Sequence, residues 1–171
     1  MKRIFALLLA SVMLFTACGS SETTTTAAGN EGTSAASADG EYVFVTKGVN
    51  VVMNAEAEPI VKALGGNPTY FESESCAFKG LDKQYDYGSF IIYTYPKDDV
   101  DYILQVELKD DTVEAEGGLC IGSAKADVEK ALGAPTSQTN AAYTYERGKS
   151  QLMFVMENDA VTSIQYLAVT K

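Results

Sequence analysis

Three cysteines, two groups of carboxylates and ten tyrosines are the residues of this chain that could do chemistry. Histidine is absent. That removes the usual general base, the commonest metal ligand and the side chain that titrates near neutrality. Ser-His-Asp and Cys-His catalysis are therefore excluded. Glu72 and Glu74 alternate along one stretch and have the look of a paired-carboxylate site. Two glutamates on the wet side of a strand need no such role, and no catalytic residue is assigned. Asp98, Asp99 and Asp101, followed by Asp110 and Asp111, offer oxygens of the kind calcium takes. Their spacing is not that of a calcium loop and no glycine stands at the turn, so a solvated hairpin loop is expected. No metal and no cofactor is implied.

Cys18 lies at the end of a different kind of segment. Lys2 and Arg3 are followed by an apolar stretch from Ile4 to Phe15, then by Thr16, Ala17 and Cys18. The stretch is short for a membrane span and suits the apolar region of an export signal. Small residues directly before a cysteine resemble the lipobox of bacterial lipoproteins, although Phe15 stands where that pattern prefers leucine. The resemblance implies cleavage after residue 17 and a diacylglyceryl group on the Cys18 thiol. Two acyl chains would anchor firmly where one holds only marginally. The expected location is extracytoplasmic, lipid-anchored to a bacterial membrane, with the outer face of the cytoplasmic membrane favoured. With Cys18 acylated, Cys76 and Cys120 remain as an even pair. A disulfide between them is permitted in an oxidising compartment; two separate thiols acting as small hydrophobes are the alternative.

Residues 18–40 are rich in Ser, Thr, Ala and Gly with no apolar periodicity, and read as a flexible tether. Residues 41–171 have the size of one folded unit. The net charge is −10, and loss of Lys2 and Arg3 with the signal would take it to −12. Such a surface argues against nucleic acid and against electrostatic attraction to anionic lipid.

What must position any site is an internal echo. Lys-Ala-Leu-Gly occurs at Lys62–Gly65 and again at Lys130–Gly133, each followed shortly by a proline, Pro68 and Pro135. Ile60 with Leu64, and Val128 with Leu132, are apolar pairs at i, i+4. Asn54 or Ala55 is expected to open the first helix and Ser123 to cap the second. Glycines end both. Strands are expected over 70–78, 89–95, 102–108, 142–146, 151–156 and 161–169, with 42–45 as an edge. Residues 80–87 read as a connection.

The Leu132-Gly133-Ala134-Pro135 string, its Ile121-Gly122 opening and the Tyr143-x-Tyr145 that follows resemble the beta-lactamase-inhibitor-protein-like repeat. They also resemble the small outer-membrane-assembly lipoproteins of the SmpA/OmlA type. The fold expected is α+β: two tandem repeats, residues 41–116 and 117–171. Each would be a short helix on a three- to four-stranded antiparallel sheet. The resemblance implies action by binding proteins through the sheet surface and loops. The chain lacks the tryptophans common on such sheets.

The strands at 89–95 and 151–156 are apolar on both faces. A sheet with helices on one side needs only one apolar face, so the second is either covered or a binding surface. Tyr87, Ile91, Tyr93, Tyr95, Met153 and Val155 are the candidate partner contacts. The expected function is a non-catalytic envelope lipoprotein that holds a protein or cell-wall partner. A carboxylate-dependent envelope hydrolase and a small-ligand-binding lipoprotein are the alternatives. The expected core is Ile60, Leu64, Phe90, Ile92, Val106, Val128, Leu132, Leu152, Phe154 and Ile164.

Overall fold

Tight turns organise the chain. Lys47-Gly48, Asp98-Asp99 and Asn158-Asp159 each hold two consecutive residues at positive φ, as the two-residue type I′ hairpin requires. The computed structural model describes residues 40–170. The expected signal segment, Cys18 and almost all of the expected tether lie outside the described residues. Among those described, no helix is long and apolar enough to cross a membrane.

A first hairpin joins β1 (Val43–Thr46) to β2 (Val49–Val52). Helix α1 (Ala57–Leu64) follows, then β3 (Thr69–Glu74), β4 (Leu81–Asp86), β5 (Phe90–Lys97) and β6 (Val100–Leu108). Helix α2 (Lys125–Leu132) precedes β7 (Ser137–Gln138), β8 (Ala142–Arg147), β9 (Ser150–Glu157) and β10 (Ala160–Ala168). The strands β3 to β10 form one antiparallel sheet of eight, in the order β3-β4-β5-β6-β10-β9-β8-β7.

This architecture corrects the expected fold class. The molecule is mostly β, without two separate helix-on-sheet repeats. Strands from the two halves join where β6 pairs with β10, Leu108 opposite Ile164 and Gln105 opposite Leu167. The recurring Lys-Ala-Leu-Gly string has a local cause. Gly65 and Gly133 stand at positive φ after an eight-residue helix, and their N–H groups bond back to Val61 and Glu129. A repeated helix stop does not specify a repeated sheet. Ser123 does not cap α2 either: Ala124 is at that position, and the Ser123 hydroxyl accepts from the Cys120 N–H at 3.0 Å.

The core lies on one face of the sheet. Phe90, Ile92, Val106, Leu152, Phe154, Ile164 and Tyr166 meet Phe44, Val51 and Met53 from the first hairpin, Leu64 from α1 and Val128 from α2. Eight of the ten expected core residues are buried, and Ile60 and Leu132 pack partly buried at its margin. The hairpin supplies what the two short helices cannot.

Candidate functional site

The opposite face of the sheet carries no described helix, and its side chains follow from strand alternation and register. One row runs across seven strands: Phe71, Gln84, Tyr93, Gln105, Leu167, Gln151 and Glu146. The next row runs across all eight: Thr69, Asp86, Ile91, Glu107, Gln165, Met153, Thr144 and Ser137. Val155 lies one step further, opposite Ser163 and Ala142. Four of the chain's five glutamines fall on this face. Amides that both donate and accept therefore alternate with Tyr93, Ile91, Met153 and Leu167.

Of the six candidate contacts, Ile91, Tyr93, Met153 and Val155 share this face, Ile91 buried in it and the other three half-buried. Tyr93 is half-buried at its centre and donates from its hydroxyl to Glu107 Oε2 at 3.2 Å. Burial, and then the adjacent Glu107 carboxylate, raise its phenol above the ordinary tyrosine range, which keeps the donor protonated. Beside it is a shallow depression of about 250 Å³, lined by Phe71, Asp82, Gln84, Tyr93 and Leu104 among others. One oxygen of Asp82 is buried there without a hydrogen-bond partner.

Tyr87 and Tyr95 are placed elsewhere. Tyr87 stacks on Phe90 at 4.9 Å, on the core side, with the Lys47 ammonium 5.9 Å from its ring. Tyr95 follows a register shift after Tyr93, where Leu104 is the extra residue. Its ring contacts Phe78 at 4.8 Å and Tyr102 at 5.7 Å, and its hydroxyl donates to Asn54 Oδ1 at 3.0 Å. These residues line a second cavity of about 660 Å³, with Lys97 and Lys149 at its rim. Alternation alone assigned Tyr95 to the row of Tyr93; a bulge leaves no clear trace in sequence.

The two cysteines among the described residues are free thiols: Cys76 exposed, Cys120 half-buried with its sulfur 3.7 Å from the Ser123 hydroxyl. Glu72 accepts a hydrogen bond from the Tyr70 hydroxyl, and Glu74 is exposed. Asp98 and Asp99 form the β5–β6 turn, while Asp101 is held by Lys83 at 2.6 Å. Among the described residues, no group of three or more Cys, Asp or Glu side chains comes together to hold a metal.

The carboxylates whose acidity shifts, Asp86 and Asp110, both move downward, whereas a general acid needs the opposite. For Asp86 the causes are the Lys109 ammonium at 2.9 Å and then the Gly88 N–H at 2.8 Å. A depressed carboxylate contributes stability above its unfolded pKa of about 3.9, lost as pH falls through the folded value. NMR titration should therefore place the Asp86 carboxyl below ordinary aspartates. Lys109→Met should return it toward the normal range; an unmoved midpoint would rule out the ion pair as the cause.

No family model, curated protein or solved structure matches this chain. The site therefore stands on its own geometry.

Proposed function

We propose that this chain is a non-catalytic, lipid-anchored binding domain of the bacterial cell envelope, holding a protein or cell-wall partner on the open face of its sheet. The observation that carries the reading is the composition of that face. A helix-free surface spanning the sheet sets Tyr93, Ile91, Met153 and Leu167 among glutamine amides. Half-buried tyrosine among apolar and amide groups is the chemistry of contact surfaces. The export segment ending at Cys18 supports an envelope location.

A photoreactive residue at position 93, compared with one at position 62 on the exposed side of α1, tests this in intact cells. The expected result is one dominant adduct from position 93 and none from position 62. Equal labelling from both, or none from either, would overturn the proposal. Tyr93→Ser should weaken capture of the identified partner at least about tenfold, the scale of a contact hot spot. Because Tyr93 is half-exposed, its removal should leave the fold intact.

A further inference from the structure

We infer that the outer edge of β3 is a strand-addition site for an extended peptide alternating basic and apolar side chains. This inference concerns the edge of the sheet; it shares Phe71 with the open face but does not depend on what that face binds. Terminal strands expose a row of unpaired backbone groups, and proteins usually protect them by shortness, lysine, proline or a bulge. The two ends of this sheet differ in that respect. At one end, β7 is only two residues long. At the other, β3 is six residues, Thr-Tyr-Phe-Glu-Ser-Glu, with no Lys, Pro or Gly. It pairs with β4 without a register shift. Among the described residues, nothing pairs with its other side.

The backbone direction can be worked out residue by residue. The Ser75 N–H donates to the Gly80 carbonyl at 3.0 Å, inside the β3–β4 hairpin. Alternation then turns Ser73, Phe71 and Thr69 toward β4, and turns Glu74, Glu72 and Tyr70 outward. The next strand agrees. The Tyr87 N–H donates to Phe90 across the β4–β5 turn, so Tyr85 and Lys83 face β5, leaving Gln84 and Asp82 to face β3. The outward residues of β3 thus present three N–H donors and three carbonyl acceptors at strand spacing.

The side chains define the occupant. Tyr70, Glu72 and Glu74 project on one face and Phe71 on the other; Tyr70 is 48% exposed and Phe71 60%. Among the described residues neither glutamate is in an ion pair, and Lys83, which sits opposite Glu72, is held by Asp101 instead. An added strand would meet two carboxylates on one face and an exposed phenyl ring on the other. Opposite charges and aromatic–aliphatic pairs across strands stabilise, and like charges destabilise. A second copy of β3 is the wrong partner, since antiparallel self-pairing gathers four glutamates on one face, and the Lys83 ammonium beside them is already held by Asp101. A segment with lysine or arginine at alternate positions and β-branched residues between them fits both faces.

The test uses the full chain and a peptide alternating lysine and valine, matched to β3 in length. A control peptide carries N-methyl groups on the backbone amides facing β3. Hydrogen exchange should show Phe71 and Ser73 already protected in the free protein, with Tyr70, Glu72 and Glu74 unprotected. The peptide should protect those three amides, and the N-methylated control should not. Glu72→Lys with Glu74→Lys should weaken binding about tenfold, by removing two cross-strand pairs and adding repulsion. Equal binding of both peptides would mean attraction by charge alone and would overturn strand addition. Protection that appears without peptide as protein concentration rises would overturn it in favour of self-pairing. Absence of any binding would overturn it outright.

Discussion

Replacing Tyr166 with alanine is expected to lower the unfolding free energy by about 3–5 kcal/mol, the scale for deleting a large buried aromatic side chain. Tyr166 is wholly buried on β10, between β6 and β9 at the middle of the sheet. Its ring lies 5.7 Å from that of Phe44. Its hydroxyl accepts the Glu116 N–H at 2.9 Å, tying the segment before α2 to the sheet. Tyr166→Phe separates these contributions. It keeps the ring and removes the acceptor, and should cost about 1 kcal/mol for one part-buried donor left unpaired. Burial also pushes the Tyr166 phenol well above the ordinary range. The unfolded chain therefore ionises first as pH rises past about 10, so this contribution is present below that pH and lost above it. Tyr166→Phe should accordingly flatten part of the alkaline loss of stability. Urea unfolding of both variants between neutral and alkaline pH reads all three effects. A cost below about 1 kcal/mol for Tyr166→Ala would contradict its burial at the sheet centre.

The sequence makes one face of this sheet legible and hides how the sheet is assembled. Phe90, Ile92, Val106, Leu152, Phe154 and Ile164 fall at alternate positions of their strands, and period-two patterning assigns them to the core they occupy. The same alternation brought Ile91, Tyr93, Met153 and Val155 to the other face. β4 escapes the pattern because Leu81-Asp82-Lys83-Gln84-Tyr85-Asp86 is polar on one side and mixed on the other, with Tyr85 alone packing against the core. It is a strand because β3 and β5 supply its backbone partners, and such pairing leaves no periodic mark. The joining of β6 to β10 is a non-local contact of the same kind. Local strings could describe the helix ends at Gly65 and Gly133 but not whether the strands between them close into two sheets or one. Tyr95 shows the limit within a strand: one extra residue, Leu104, on the neighbouring strand re-aims a side chain whose alternation looked regular.

Phe44→Ala is the second large effect, expected at about 3–5 kcal/mol by the same reasoning. The β1–β2 hairpin shares no strand pairing with the large sheet. It is held largely by side chains: Phe44, fully buried, meets Phe90 edge-on at 5.1 Å and Tyr166 at 5.7 Å, with Val51 and Met53 buried beside it. The Tyr42 N–H adds a bond to the buried Ser150 hydroxyl at 2.7 Å. Two eight-residue helices contribute few buried side chains, Ala57 and Leu64 from one and Val128 from the other. The hairpin is therefore the cover that completes the core. Because Phe44 and Tyr166 touch, the double variant should cost less than the sum of the two, by about 0.5–1.5 kcal/mol for an aromatic pair. Strict additivity in urea unfolding would mean the hairpin docks without that contact. The two faces of the sheet should then separate experimentally. Phe44→Ala at a temperature where the domain stays folded should lower stability and leave partner capture at position 93 intact. Tyr93→Ser should weaken capture at least about tenfold with unfolding free energy little changed. A variant on either face that moved both quantities together would show that the core face also shapes the binding face.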